Sequence, residues 1–250
     1  MKKKFDLKVI CCIFFIIVCF GGALYYSFQI IVWKNHIDEN KNIESEIKKA
    51  VSVVELSIDS YTKDEVVQID FDLLKSMNPD TVAYIQVFNT NIDYPVVQTS
   101  DNNYYLTHNF EKKWNIAGWV FADYKNKFDG TDQNIVLYAH NMMDGSMFGS
   151  LKDIFSEEWR KSAKDKTITF VTGSGTFSYQ VFSTYEIEPE DYYIHTSFSD
   201  ESLFASFLDT IKSRSSYVYD VDVSSKDRIL TLSTCTIHGD KRVVLHAKLL

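Results

Sequence analysis

The sequence is poor in the residues that punctuate loops, with nine glycines and three prolines among 250 residues. That composition excludes collagen-like and low-complexity organisation, and no segment repeats. Cysteine is scarce as well, at four residues. Cys11, Cys12 and Cys19 fall inside one apolar stretch, so Cys235 stands alone in the rest of the chain and no intramolecular disulfide can form there. An excess of basic charge is also missing, with 26 basic residues against 34 acidic ones. The first 33 residues hold four basic and one acidic, which leaves residues 34–250 at net −11. An acidic body of this kind does not bind a phosphate backbone, so no nucleic-acid partner is expected. A solvated surface accounts for most of the charge.

What is present divides the chain in two. Lys2, Lys3, Lys4 and Lys8 precede an uncharged run over residues 9–33. At about 1.5 Å per residue that run reaches roughly 37 Å, against a hydrocarbon core of about 30 Å. A cleaved signal peptide is the rival reading, but its apolar region is shorter, about 7–15 residues, and ends in small residues. This run ends in Ile30, Ile31, Val32 and Trp33, which suit a membrane span with an interfacial Trp. The lysines predict a cytoplasmic tail over residues 1–8, a single-pass signal anchor over 9–33 and an extracellular remainder. Residues 34–78 read as a juxtamembrane helical segment and 79–250 as the main folded domain. With 45% hydrophobic and 15% aromatic residues, that domain can bury a substantial core.

Residues 36–60 predict a helix, because Ile43, Ile47, Val51, Val54 and Ile58 recur at three- and four-residue spacing. It reads equally well as a plain stalk or as a spacer packed on the body. A short helix is expected through Phe71, Leu74 and Met77, before Pro79. Beyond it the pattern changes to about eight short strands, at 82–88, 94–98, 118–122, 134–140, 167–171, 176–186, 228–235 and 242–249. Thr172-Gly173-Ser174-Gly175 marks a hairpin. The fold class is therefore mainly β, a barrel or sandwich. Two peripheral helices interrupt it, one over 147–155 and one starting near Ser199 that buries Leu203, Phe204, Phe207, Leu208 and Ile211.

A lone exported Cys is either a small buried hydrophobe or a reactive thiol. Cys235 ends the strand "TLSTC", where Ile229, Thr231, Ser233 and Cys235 share one face. That face is the more polar one, an odd place for a purely structural Cys. Thiol catalysis also needs a proton-transfer group and a donor for the oxyanion. Among six histidines, His36, His108 and His195 read as surface residues, and His238 makes only a weak C-x-x-H metal signal. His246 reads as a satisfied strand histidine. His140 ends the strand "NIVLYAH" as Cys235 ends its own, and two strand-terminal residues can meet at one rim of a sheet. On spacing alone, Arg242 at the head of the last strand reads as a sheet-edge charge, since its guanidinium cannot act as a base. No metal or cofactor is expected, and nothing indicates an oligomer, so a monomer is assumed.

"TLSTC" followed by "KRVVLHAKL", with "LYAHNM" upstream, resembles the sortase family of Gram-positive surface transpeptidases. "IDYPVVQ" and "MFGSLKDIF" extend the resemblance, which covers about residues 72–250. The helix inserted before the Cys strand, the N-terminal helices, and "YPVVQ" with "NNYYL" nearby look like class B. The resemblance implies an eight-stranded sortase barrel with Cys235, His140 and Arg242 at the family's three catalytic positions. It further implies cleavage of a C-terminal sorting motif in secreted proteins, of an Asn-Pro-x-Thr-Asn type, through a Cys thioester. The acyl group then passes to a cell-wall precursor amine. Ser233, Tyr193 and Ile194 are expected beside the bound motif. The alternatives are an anchored peptidase of papain type, in which the Cys precedes the His, and a non-catalytic surface domain with an inert thiol.

Overall fold

The computed structural model describes residues 7–59, 62–161, 167–236 and 239–250, with backbone alone for residues 7, 54–59 and 62–66. Lys2, Lys3, Lys4 and His238 lie outside the described residues. The chain divides into two compact units, residues 1–42 and 43–250. The first is helical. It belongs to α1 (Leu7–Ile47), whose apolar part is long and hydrophobic enough to cross a membrane.

The expected helix over 36–60 stops early. After Ile47 the chain passes through one 3-10 turn into β1 (Val51–Asp59), which pairs antiparallel with β2 (Thr62–Ile69). The spacing that suggested a helix also fits a strand. Val51, Val53, Val54 and Ile58 are β-branched, and the partner segment holds Val66, Val67 and Ile69, so cross-strand pairing overrides the 3.6-residue pattern. The segment before the barrel is thus helix, hairpin and the short α2 (Phe71–Met77), which starts where Asp70 accepts a hydrogen bond from Leu73 N–H at 2.9 Å.

The remaining strands are β3 (Thr81–Val87), β4 (Asp93–Val97), β5 (Phe121–Ala122), β6 (Asn134–Tyr138), β7 (Thr167–Thr172), β8 (Gly175–Ile187), β9 (Ile229–Cys235) and β10 (Arg242–Leu249). They close into an eight-stranded barrel in the order β10-β8-β7-β3-β4-β5-β6-β9. All neighbours are antiparallel except β4 with β5 and β6 with β9. Val136, Leu137, Leu230, Leu232, Val243, Leu245 and Ala247 are fully or almost fully buried along the three strands β6, β9 and β10. The expected strand over 118–122 contracts to two residues. Gly118 there takes φ +57° and lies against the Tyr105–Leu106 backbone, which a straight ladder cannot accommodate.

Three segments lie around the barrel. The helix expected over 147–155 is present as a 3-10 helix, Gly149–Phe155, starting where Gly149 packs directly on the Met142 backbone and after Met147 takes φ +53°. A short α3 (Glu157–Lys161) follows it. The longer α4 (Glu201–Ser213) is capped by Asp200, whose carboxylate accepts from Leu203 N–H at 2.9 Å. Phe204, Phe207, Leu208 and Ile211 are buried against Phe182, Tyr185, Ile229 and Val244. Leu203, expected on that face, is 52% exposed. The cap sets the start of the helix, and the i, i+3, i+4, i+7 stripe then begins at Phe204.

His246 is completely buried, as a satisfied strand histidine should be, with Nε2 2.9 Å from the Tyr185 hydroxyl and Nδ1 2.9 Å from Thr231 Oγ1. Burial pushes its pKa down from 6.5 to about 3. Between those values the unfolded chain binds a proton that the folded chain refuses, so stability falls as pH drops through this window. The slope is at most about 1.4 kcal/mol per pH unit. Urea unfolding of the detergent-solubilised chain should give a free energy lower at about pH 5 than at about pH 7, by up to roughly 2 kcal/mol from this residue. Equal values at the two pH settings would contradict a neutral buried ring.

Candidate active site

The parallel pairing of β6 with β9 brings the ends of both strands to the same rim of the barrel. The register sets Tyr138 opposite Ser233, and carried on two residues it sets His140 opposite Cys235. On the other side of β9 the antiparallel register sets Arg242 opposite Cys235 and Val244 opposite Ser233. Cys235 and Arg242 are therefore opposed on neighbouring strands about 4.8 Å apart, and His140, two residues past the end of β6, continues the line on the other side of Cys235. All three line a single open cavity of about 670 Å³, with Leu106, Tyr138, Tyr193, Ile194 and Ser233 among its walls.

The thiol is half-buried and the imidazole is likewise partly accessible. His140 Nε2 lies 2.8 Å from the Leu106 carbonyl oxygen. A carbonyl only accepts, so Nε2 carries the proton and Nδ1 is the nitrogen left to take one up. The Leu106 carbonyl thus fixes the tautomer and the ring orientation without adding charge. It is set by the Tyr104–Leu106 turn, against which Gly118 packs so closely that a β-carbon would lie 2.3 Å from the Tyr105 oxygen and 2.9 Å from the Leu106 oxygen. Arg242 donates to the Lys241 carbonyl at 3.2 Å, and among the described residues no carboxylate comes within ion-pair distance of it. Its charge remains available to the cavity.

The three expected contact residues meet at the same cavity. Tyr193 and Ile194 belong to a 3-10 turn, Tyr192–Ile194, whose cavity side faces β9. The Tyr193 and Ser233 hydroxyls are 3.0 Å apart and both buried. Burial raises the Tyr193 phenol above its ordinary pKa, opposed by the Ser233 hydrogen bond and the Arg242 guanidinium and reinforced by Cys235. The polar side chains of the β9 face that carries Thr231 and Ser233 are satisfied, with Ser233 bonded to Tyr193 and Thr231 to Asn134 and His246. His195 is exposed and His108 stacks on Tyr104 with ring centroids 4.0 Å apart, neither of them in the cavity lining.

Some site residues escaped sequence reasoning. Asn141 Nδ2 donates to the Cys235 carbonyl at 2.9 Å, tying the end of the His strand to the end of the Cys strand. Its position immediately after His140 was the available signal. Tyr138 donates to Asp123 at 2.9 Å, and Asn102 donates to the same carboxylate oxygen at 2.9 Å, with both donors lining the cavity. These partners come from separate loops and had no local signature. Burial, then the charge and hydrogen bond of Asp123, push the Tyr138 phenol well above the ordinary range, so it stays a neutral donor.

A closed eight-stranded barrel with a strand-terminal thiol between an imidazole and a guanidinium defines a cysteine acyl-transfer enzyme. The sortase domain model matches residues 85–250. Sortase B of Listeria monocytogenes is 34% identical over 229 residues, 87% of this chain and 89% of that protein. The solved Staphylococcus aureus sortase B–substrate complex is 36% identical, covers 72% of this chain and 84% of its own, and has a TM-score of 0.68. A crystal structure of sortase B complexed with triglycine matches at 36% identity and a TM-score of 0.68, over 72% of this chain and 85% of its own. The chain belongs to the sortase family, class B, and is a cysteine transpeptidase of that type. That assignment replaces the papain-type and non-catalytic alternatives.

Gly118→Ala should strain the left-handed position and push on the carbonyl that holds His140. The expected cost is about 1–3 kcal/mol, seen as a thermal midpoint lowered by several degrees. A variant with an unchanged midpoint would show that the Gly118 contact does not constrain the Tyr104–Leu106 turn.

Proposed function

We propose that this enzyme cleaves a C-terminal sorting motif of the Asn-Pro-x-Thr-Asn type in secreted proteins and joins the new carboxyl end to a cell-wall precursor amine. The observation that carries this reading is the row of His140, Cys235 and Arg242 at the head of the 670 Å³ cavity. Two relatives point the same way, one solved with substrate and one with triglycine, an oligoglycine amine. The apolar part of α1 would anchor the enzyme with the Lys2, Lys3, Lys4 and Lys8 cluster inside and the barrel outside.

In this reading the Cys235 thiolate attacks the Thr carbonyl carbon of the motif, forming the C–S bond and an oxyanion. Arg242 faces that oxygen, joined by backbone N–H groups near the thiol. Collapse breaks the C–N bond, and His140, carrying the former thiol proton on Nδ1, hands it to the departing amine. The acceptor amine then attacks the thioester, gives its proton to His140, and releases the thiolate as the new amide forms. Tyr193, Ser233, Ile194 and Tyr138 shape the walls around the motif. Water attacking the thioester in place of the amine gives hydrolysis, so the two outcomes differ only in the acceptor.

Incubation with a sorting-motif peptide should add the acyl mass to Cys235, and triglycine should convert it to a ligated product. Cys235→Ala should give no adduct. Arg242→Lys should lose about 10²–10³ in rate, because a point charge does not replace a two-donor fork. His140→Ala should lose at least as much. Turnover of the peptide by Cys235→Ala would sink the proposal.

A further inference from the structure

The acyl-transfer chemistry leaves His246 unused, although a buried polar network runs through it. His246 lies opposite Thr231 on β9 and Ser183 on β8. Its two nitrogens join hydrogen bonds that leave the barrel in opposite directions and return to the same short segment. One arm passes from Nε2 to the Tyr185 hydroxyl at 2.9 Å and on to the Tyr192 hydroxyl at 2.8 Å. The other passes from Nδ1 to Thr231 Oγ1 at 2.9 Å and on to Asn134 Oδ1 at 2.7 Å. Asn134 Nδ2 then reaches the carbonyls of His195, at 2.9 Å, and Tyr193, at 3.4 Å. Both arms therefore end on residues 192–195, the segment that presents Tyr193 and Ile194 to the cavity.

The direction of every bond follows from the carbonyl end. Two carbonyls can only accept, so the Asn134 amide nitrogen faces them and its oxygen faces Thr231. The Thr231 hydroxyl donates to that oxygen, which leaves its own oxygen to accept from His246 Nδ1–H. Nε2 is then bare and accepts from Tyr185, whose oxygen accepts from Tyr192. One neutral tautomer of one histidine gives every link of the chain one donor and one acceptor. Burial keeps that ring uncharged. Other bonds lie alongside, with Asn134 N–H donating to the Thr196 carbonyl at 3.2 Å and Gln133 Oε1 accepting from Phe198 N–H at 2.8 Å. On the outer side the Arg214 guanidinium sits 4.3 Å above the Tyr192 ring and pairs with Glu190 at 3.2 Å.

We propose that His246 and Thr231 are positioning residues for peptide binding, holding the Tyr192–Ile194 turn, and with it the Tyr193–Ile194 wall, at the distance from Cys235 that the sorting motif requires. The proposal rests on the reading of this cavity as the motif-binding groove. A histidine that merely filled the core would need no fixed tautomer and no tie to both ends of the turn. Neither residue touches substrate, so their loss should act on binding more than on the chemical step.

The test uses the full-length enzyme in detergent with the Asn-Pro-x-Thr-Asn peptide and triglycine. Thr231→Val keeps the side-chain shape and removes both bonds of that arm. KM for the peptide should rise about tenfold while kcat stays within about twofold. Cys235 alkylation by iodoacetamide should keep the wild-type rate, and Thr231→Ser should restore KM. If Thr231→Val does not fold, Tyr192→Phe removes only the outermost hydroxyl and should raise KM in the same direction by about threefold. Histidine 15N spectra of the wild type should show His246 as the Nδ1–H tautomer. An Nε2–H tautomer, an unchanged KM in the folded variants, or a fall in kcat and alkylation matching the rise in KM would overturn the proposal. A wild-type enzyme that turns over no such peptide overturns the reading of the groove as well, whereas a flat KM series in an active enzyme overturns this inference alone.

Discussion

Because β6 and β9 run parallel in a barrel whose other neighbours are almost all antiparallel, both strands leave the sheet at one rim, where His140, two residues past the end of β6, and Cys235, at the end of β9, line one cavity. The pairing of β9 with β10 then lays Arg242 against the other side of Cys235. Shifting either register by one residue would turn the partner to the opposite face. The ladder is held by fully buried residues on both sides, Leu230 and Leu232 on β9 and Val243 and Leu245 on β10, so the row at the rim inherits the rigidity of the core. Asn141 extends the tie beyond the last ladder bond by gripping the Cys235 carbonyl.

Around that row the protein supplies orientation mainly with neutral groups. A backbone carbonyl holds His140, a pair of hydroxyls joins Tyr193 to Ser233, and a neutral histidine links Thr231 to Tyr185. Neutral partners leave Arg242 as the cation in the strand pair beside Cys235, and in the proposed mechanism a half-buried cavity would strengthen its pull on a developing oxyanion relative to open water. The same economy runs along the polar face of β9, where the Thr231 hydroxyl bonds to Asn134 and His246 and the Ser233 hydroxyl to Tyr193.

Much of this was legible in the sequence wherever the signal was local. Alternating apolar strands, a Gly-rich hairpin and an amphipathic stripe located the barrel strands and α4 to within a few residues. Cys235 and His140 stood out as strand-terminal residues. Arg242 looked like a sheet-edge charge, yet six residues separate it from Cys235, and antiparallel strands joined by so short a link must set their inner ends opposite each other. The stretch over 48–59 misled because Val and Ile at three- and four-residue spacing also satisfy a strand, and only pairing with β2 decides between them. Asn102 and Leu106 lie in the "NNYYL" that entered the resemblance and Gly118 opened an expected strand, but what these residues and Asp123 do was not legible, because their contribution is a place in space, brought by segments far in sequence from the strands they serve.

The central claim is the register that places His140 and Arg242 on either side of Cys235, and disulfide trapping reads it most directly. His140→Cys and Arg242→Cys, each oxidised and mapped by mass spectrometry, should link to Cys235, since directly opposed strand residues lie about 4.5–5.5 Å apart, within disulfide reach. Leu137→Cys and Val243→Cys, which lie on the other face of their strands, should not. Links from these positions instead of the aligned ones would contradict the account.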